Sequence, residues 1–155
     1  MHARLDASAL PHLERRLRAL RVDTPARWGR MDASAMLCHL RAALEMSLGE
    51  IEVPRLVPAW IGVPVGWIFT RILTRWPRSL GGRNPPVPAL HPPVDAAAFD
   101  AERQRLLADL ARFVERLRAD PRQRALHPVF GRLKLARWSR VHALHLAHHL
   151  RQFGV

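Results

Sequence analysis

Tyrosine is absent from this 155-residue chain, and Lys134 is its single lysine against 24 arginines. Cys38 is the only cysteine. No internal disulfide is therefore possible, as is usual for chains kept in a reducing compartment. Residues 1–6 lack the apolar h-region of a signal peptide, and a cytoplasmic location is expected. The chain also lacks a long hydrophobic run. Its most apolar stretch, 56–70, is uncharged but falls short of the roughly 20 residues that span a bilayer. Pro58, Gly62, Pro64 and Gly66 break it, so it reads as a buried, kinked segment and argues against membrane contact. Internal repeats and strand-like alternation of trustworthy length are missing too.

What is present is charge. The formal balance of +12, with a pI near 11.8, would suit nucleic acid, an anionic membrane surface or an anionic small molecule. Arginine, alanine and proline in excess, with lysine and tyrosine scarce, instead carry the signature of a GC-rich codon bias, and the charge is read as a solvated arginine surface. No helix-turn-helix, zinc finger or aromatic-basic interleaving supports a nucleic-acid partner. The length fits one domain over 1–155.

Apolar residues recur at helical spacing in four stretches. Leu10, Leu13, Leu17 and Leu20 place a first helix at 7–20, with Asp6 as its N-cap. Asp32 caps a second, 33–48, striped by Met36, Leu37, Leu40, Leu44 and Leu48 and stopped by Gly49. Leu106, Leu110, Phe113 and Leu117 mark a third at 95–119, ended by Pro121, and a fourth spans 135–153. Trp28, in the loop 22–31, is expected to plug the core. Residues 51–94 read as a long irregular connection with helical pieces at 57–60 and 64–75, covering one open end and bringing Trp60 and Trp67 to a pocket. Residues 127–131 read as a turn. The fold class expected is all-α: an antiparallel four-helix bundle with a long connection between helices two and three.

Four histidines stand within 142–149. At about 100° per residue, Trp138, Val141, His149 and Gln152 fall within about 40° of His145, on one inward face. Buried imidazoles need partners for both nitrogens. A divalent metal supplies a shared one, and the i, i+4 pair His145 and His149 suits chelation. The third ligand must come from a facing helix, and His39 is the histidine at the edge of the apolar stripe of helix two. Three histidines leave positions open for water or substrate, the pattern of a catalytic site. His142 and His148 flank the face as supporting, partner-contacting or surface groups, with Gln152 and Trp138 beside the site. His2, His12 and His91 are read as surface.

Two stretches carry a family resemblance. One runs Arg27-Trp28-Gly29-Arg30-Met31 through Met36, His39, Leu44, Glu45, Gly49 and Glu50. The other is His127-Pro128-Val129-Phe130-Gly131, then Trp138, His142 and His145-Leu146-Ala147-His148-His149-Leu150-Arg151-Gln152-Phe153-Gly154. Together they resemble the DinB/YfiT-like superfamily of metal-binding bundles, in particular its small bacterial branch ending in HHLRQFG. The resemblance implies an up-down-down-up bundle. It also implies a triad of one histidine on the second helix and an HxxxH pair on the last, which maps onto His39, His145 and His149. Members bind zinc, nickel or iron. They include bacillithiol and mycothiol transferases, a mycothiol-dependent maleylpyruvate isomerase and the iron-binding part of sulfoxide synthases. This chain departs at Lys134 and Leu135, where relatives carry a Ser or Thr cap, and at Ala147, where an acidic residue is common.

The function expected is a divalent-metal protein of the thiol S-transferase kind, with a metal-dependent hydrolase as the other enzyme class. It would hold Zn, Ni or Fe, use a low-molecular-weight thiol and act on a small electrophile. The alternative is a metal-binding or homodimeric interaction module without catalysis, packed through 56–73. Glu45 and Glu50 are candidate bases only if they face the pocket.

Overall fold

Asp32 accepts a hydrogen bond from Ala35 N at 2.7 Å, and Gly49 takes the left-handed conformation, φ 81°. These two caps bracket α2 (Ala33–Leu48) as its sequence expects. The computed structural model describes residues 4–72 and 98–155. Its elements are α1 (Leu10–Ala19), α2, α3 (Ala59–Ile72), α4 (Phe99–Ala119), the strands β1 (Arg124–His127) and β2 (Gly131–Lys134), and α5 (Leu135–Gln152). The described residues are thus mostly helical, with five helices and a two-stranded antiparallel sheet.

The all-α expectation is corrected by that hairpin, in which Arg124 faces Lys134 and His127 faces Gly131. Each strand has four residues alternating between exposed and covered, too short a period-2 signal to stand out beside helices. The expected turn at 127–131 becomes the hairpin's end, with Gly131 at φ 75°. The turn that leads into the hairpin replaces the missing cap of α5. Leu135 N donates to the Gln123 carbonyl (2.9 Å) and Ala136 N to that of Pro121 (3.2 Å), so backbone oxygens serve where Lys134 offers no side-chain acceptor.

Two other boundaries move. Asp6 caps a turn, accepting from Ser8 N and Oγ, and α1 begins at Leu10, with Pro11 in its first turn. Pro64 removes one N–H donor from a helix interior, yet α3 runs through it as one helix. The expected start at Asp95 and the end of the 51–94 connection lie outside the described residues.

Leu13 and Leu17 of α1, Met36, Leu37, Leu40 and Leu44 of α2, Leu106, Leu110 and Phe113 of α4, and Leu135, Trp138 and Val141 of α5 form one buried cluster. α2 lies against both α4 and α5. Ser139 ties the N-terminal segment to α5, its Oγ donating to the Leu5 carbonyl at 2.9 Å. On the α4 side of α2, Glu102 is held by Arg41 Nε (2.8 Å) and Arg105 Nη1 (2.6 Å).

Candidate metal centre

His39 on α2 and His145 and His149 on α5 meet at one point. His145 Nε2 lies 3.0 Å from His39 Nε2 and 3.1 Å from His149 Nε2. The three residues each offer a ligand atom, all within 4.8 Å of one another. Nitrogens about 2.1 Å from one ion, at angles of about 90–110°, stand about 3.0–3.4 Å apart, so these two separations fit a shared cation. His149 is buried, while His39 and His145 are partly exposed. Burial holds the His145 imidazole well below its ordinary pKa, and the neighbouring His149 and His39 add to the effect. A neutral ring keeps a lone pair for a ligand bond.

The proton on His149 is fixed by the residue one turn further on. Gln152 Nε2 donates to the Trp28 carbonyl at 2.7 Å, which leaves Gln152 Oε1 facing His149 Nδ1 at 2.8 Å. An amide oxygen only accepts, so His149 Nδ1 must donate and Nε2 carries the lone pair. A single N–H at His145 Nε2 could serve only one of its two neighbours, and convergent imidazole lone pairs suit a cation. Gly29 makes the support possible. Its φ is 83°, and a Cβ there would stand 2.7 Å from Gln152 Nε2. Arg27 N also donates to the Gln152 carbonyl at 2.7 Å. The Arg27-Trp28-Gly29 segment is therefore a clamp on the end of α5. Trp28 is partly buried and meets His148 edge-on, ring centres 5.8 Å apart, and His148 meets His149 in the same way at 5.0 Å.

His142 and His148 are both buried, which removes the surface alternative for each. His142 belongs to a column behind the site. The Ser47 hydroxyl donates to the Leu44 carbonyl (2.7 Å), so His142 Nε2 donates to Ser47 Oγ (2.9 Å). Trp138 stacks on His142 at 5.2 Å, and its Nε1 donates to the Ala125 carbonyl. His127 completes the column, with Nδ1 accepting from Val129 N and Phe130 N, both 3.1 Å. Burial pushes His127 and His142 down to about 3. Sequence reading placed His127 in a turn and missed this role. The two-residue step to a Pro-led loop, with a histidine side chain capping the loop's own amides, was the available signal.

Glu45 and Glu50 do not join the three-histidine group. They pair with Arg41 and Arg112 on the far side of α2. Cys38 lies on that side too. Burial first, then a hydrogen bond with Glu102, pushes its thiol up to about 11, so it is not an activated nucleophile. Trp60 is 77% exposed and Trp67 46%. In the segment 56–70, expected to be buried, Leu56, Trp60, Ile61, Val63, Val65, Trp67 and Ile68 are exposed, because α3 seats against the body through two glycines. A Cβ on Gly62 would lie 2.1 Å from the Val129 carbonyl oxygen, and one on Gly66 would lie 2.6 Å from Phe130 Cβ. His12 sits on α1 beside Arg15; His2 and His91 lie outside the described residues.

A family described as "Protein of unknown function (DUF1569)" matches residues 2–154, essentially the whole chain. The chain belongs to the DUF1569 family. No curated protein and no solved structure matches it. In this DUF1569 chain the Arg27-Trp28-Gly29 clamp and the histidine group therefore stand on their own geometry.

Proposed function

We propose that the protein binds one divalent metal ion, Zn, Ni or Fe, through His39, His145 and His149, and that α1, α2, α4 and α5 form a DinB-like antiparallel four-helix bundle around that site. The observation that carries the metal reading is the meeting of the three imidazoles, with two Nε2–Nε2 separations of 3.0 and 3.1 Å. Among the described residues the group contains no carboxylate, so its three neutral ligands leave the charge of a divalent ion uncompensated. An anionic fourth ligand is favoured, and the protein's +12 balance favours it further. When bound, the ion would supply the Lewis acidity that lowers the pKa of a thiol or water.

The activity that fits is thiol transfer to a small electrophile. A thiolate sulfur forms a bond to carbon, the leaving group departs with its electron pair, and the thiol proton passes to solvent. Cys38 is buried and its thiol is held protonated, so the thiol comes from outside the chain as a low-molecular-weight cofactor.

The test is calorimetric titration of Zn²⁺ and Ni²⁺ into tag-free, metal-stripped protein. Replacing His39, His145 or His149 by Ala should lower affinity by orders of magnitude, and His12→Ala should leave it unchanged. Equal affinity in all five proteins ends the metal reading. With metal bound, formation of a thiol adduct with a chloroaromatic electrophile should be lost in His145→Ala. Binding without that activity would leave a metal-binding module.

A further inference from the structure

Between Trp60 and Ile68 the side chains of α3 that the body leaves open are apolar. Its glycines at 62 and 66 meet Val129 and Phe130. Trp60, Ile61, Val63, Val65, Trp67 and Ile68 are exposed. At about 100° per residue these six span an arc of about 200°, with Pro64 inside it and no polar residue among them. A contiguous apolar surface of this kind on a folded domain marks a place where something else binds.

The charge around it says what. All thirteen acidic residues fall within 6–52 and 95–120, so α3, the hairpin and α5 contain none. β2 packs beside α3, and of the hairpin's outward positions Arg124, Arg132 and Lys134 are exposed, with Leu126 partly covered opposite Arg132. Arg124 and Lys134 are direct cross-strand partners. Like charges placed opposite each other cost stability, and among the described residues no ion pair engages Arg55, Arg124, Arg132 or Lys134. Arg55 reaches over Gly131 beside Val63, which joins the cationic and apolar surfaces.

We propose that α3 and the outer face of the hairpin are a docking surface for an anionic lipid bilayer. α3 lies in the headgroup plane with the Trp60 and Trp67 indoles inserted, and Arg55, Arg124, Arg132 and Lys134 pair with lipid phosphates. Apolar burial and a basic rim together are the two signals that hold a helix at an interface. Among the described residues no helix is long and apolar enough to cross a membrane; α3 needs only to lie on one. A second copy of this chain fits less well, because it would bring the same acid-free arginine surface against this one. Nucleic acid would use the arginines but not the aliphatic arc of Ile61, Val63, Val65 and Ile68.

Flotation with vesicles tests this. Full-length protein should rise with vesicles of phosphatidylcholine containing about one third phosphatidylglycerol, and not with phosphatidylcholine alone. Binding should fall at least about tenfold on raising salt to about 0.5 M, and similarly in Trp60→Ser/Trp67→Ser and in Arg124→Glu/Lys134→Glu. Both pairs are exposed, and an unchanged thermal melt confirms that each double variant folds. Absence of binding to the anionic vesicles at low salt overturns the proposal. So does binding that survives both double variants. A concentration-dependent dimer in sedimentation that Trp60→Ser/Trp67→Ser abolishes, without vesicle binding, assigns the surface to a second copy. Duplex DNA shift without vesicle binding assigns it to nucleic acid.

Discussion

Gln152 shows how much one residue can decide at this site. Its amide is held at both ends, by the Trp28 carbonyl and by His149 Nδ1, and so it selects the tautomer that frees His149 Nε2. Loss of such a supporting hydrogen bond costs about 10–100-fold in metal affinity. Gln152→Ala is expected to weaken zinc binding by that factor with helicity retained, measured by competition against a chromophoric chelator. Gly29→Ala should act in the same direction without touching a histidine. The new Cβ strains a φ of 83° and meets Gln152 Nε2 at 2.7 Å. Unchanged affinity in both variants would show that Gln152 does not orient His149. The three histidines that meet were legible in the sequence as candidates because i, i+4 spacing and an inward face follow from helix geometry alone. Gln152 was legible only as a neighbour on that face. Its partner Trp28 lies 124 residues away, a distance that no local pattern spans.

At the level of elements, α2 and α5 were readable because their caps and stripes are local. α3 was misjudged in its burial. Its composition is that of a core helix, but the two glycines that let it approach the loop at 128–130 leave Trp60, Ile61, Val63, Val65, Trp67 and Ile68 outside. That gives a prediction about attachment. Gly62→Val drives a side chain into the Val129 carbonyl oxygen, where even a Cβ would stand at 2.1 Å, and should detach α3 from the hairpin. Limited proteolysis is expected to cut within 55–72 several times faster than in the wild type. The helices around the histidine group should keep their hydrogen-exchange protection and their metal affinity. Protection lost throughout would mean that α3 is integral to the core.

For the whole molecule, the buried histidines set how stability depends on pH. His127 and His142 are pushed down to about 3 by burial, and His145 well below its ordinary value. In the unfolded chain each titrates near 6.5. Below that pH the unfolded state takes up protons that the folded state refuses, so stability is full above about 6.5 and falls as pH drops. Each of the three costs about 1.4 kcal/mol per pH unit. The carboxyls of Glu45 and Asp109, raised mainly by burial, work in the opposite sense, but they act at lower pH, near the carboxylate range. Urea unfolding of the metal-free protein should show a lower midpoint at pH 5.5 than at pH 7.5 with an unchanged slope. Equal midpoints would mean that these imidazoles are not buried in the native state.

The sequence by itself determined that the chain is mostly helical, where α2 and α5 run, and that His39, His145 and His149 were the candidates to meet, because helical period, capping chemistry and turn residues act over a few positions. Only the tertiary structure decided the hairpin, the His127–Trp138–His142 column, the Arg27-Trp28-Gly29 clamp and the exposure of α3. Each of these depends on which distant backbone comes close, whether Val129 on Gly62, Trp28 on Gln152 or Gln123 on Leu135. Such approaches are fixed by global packing, which local residue preferences permit but do not specify.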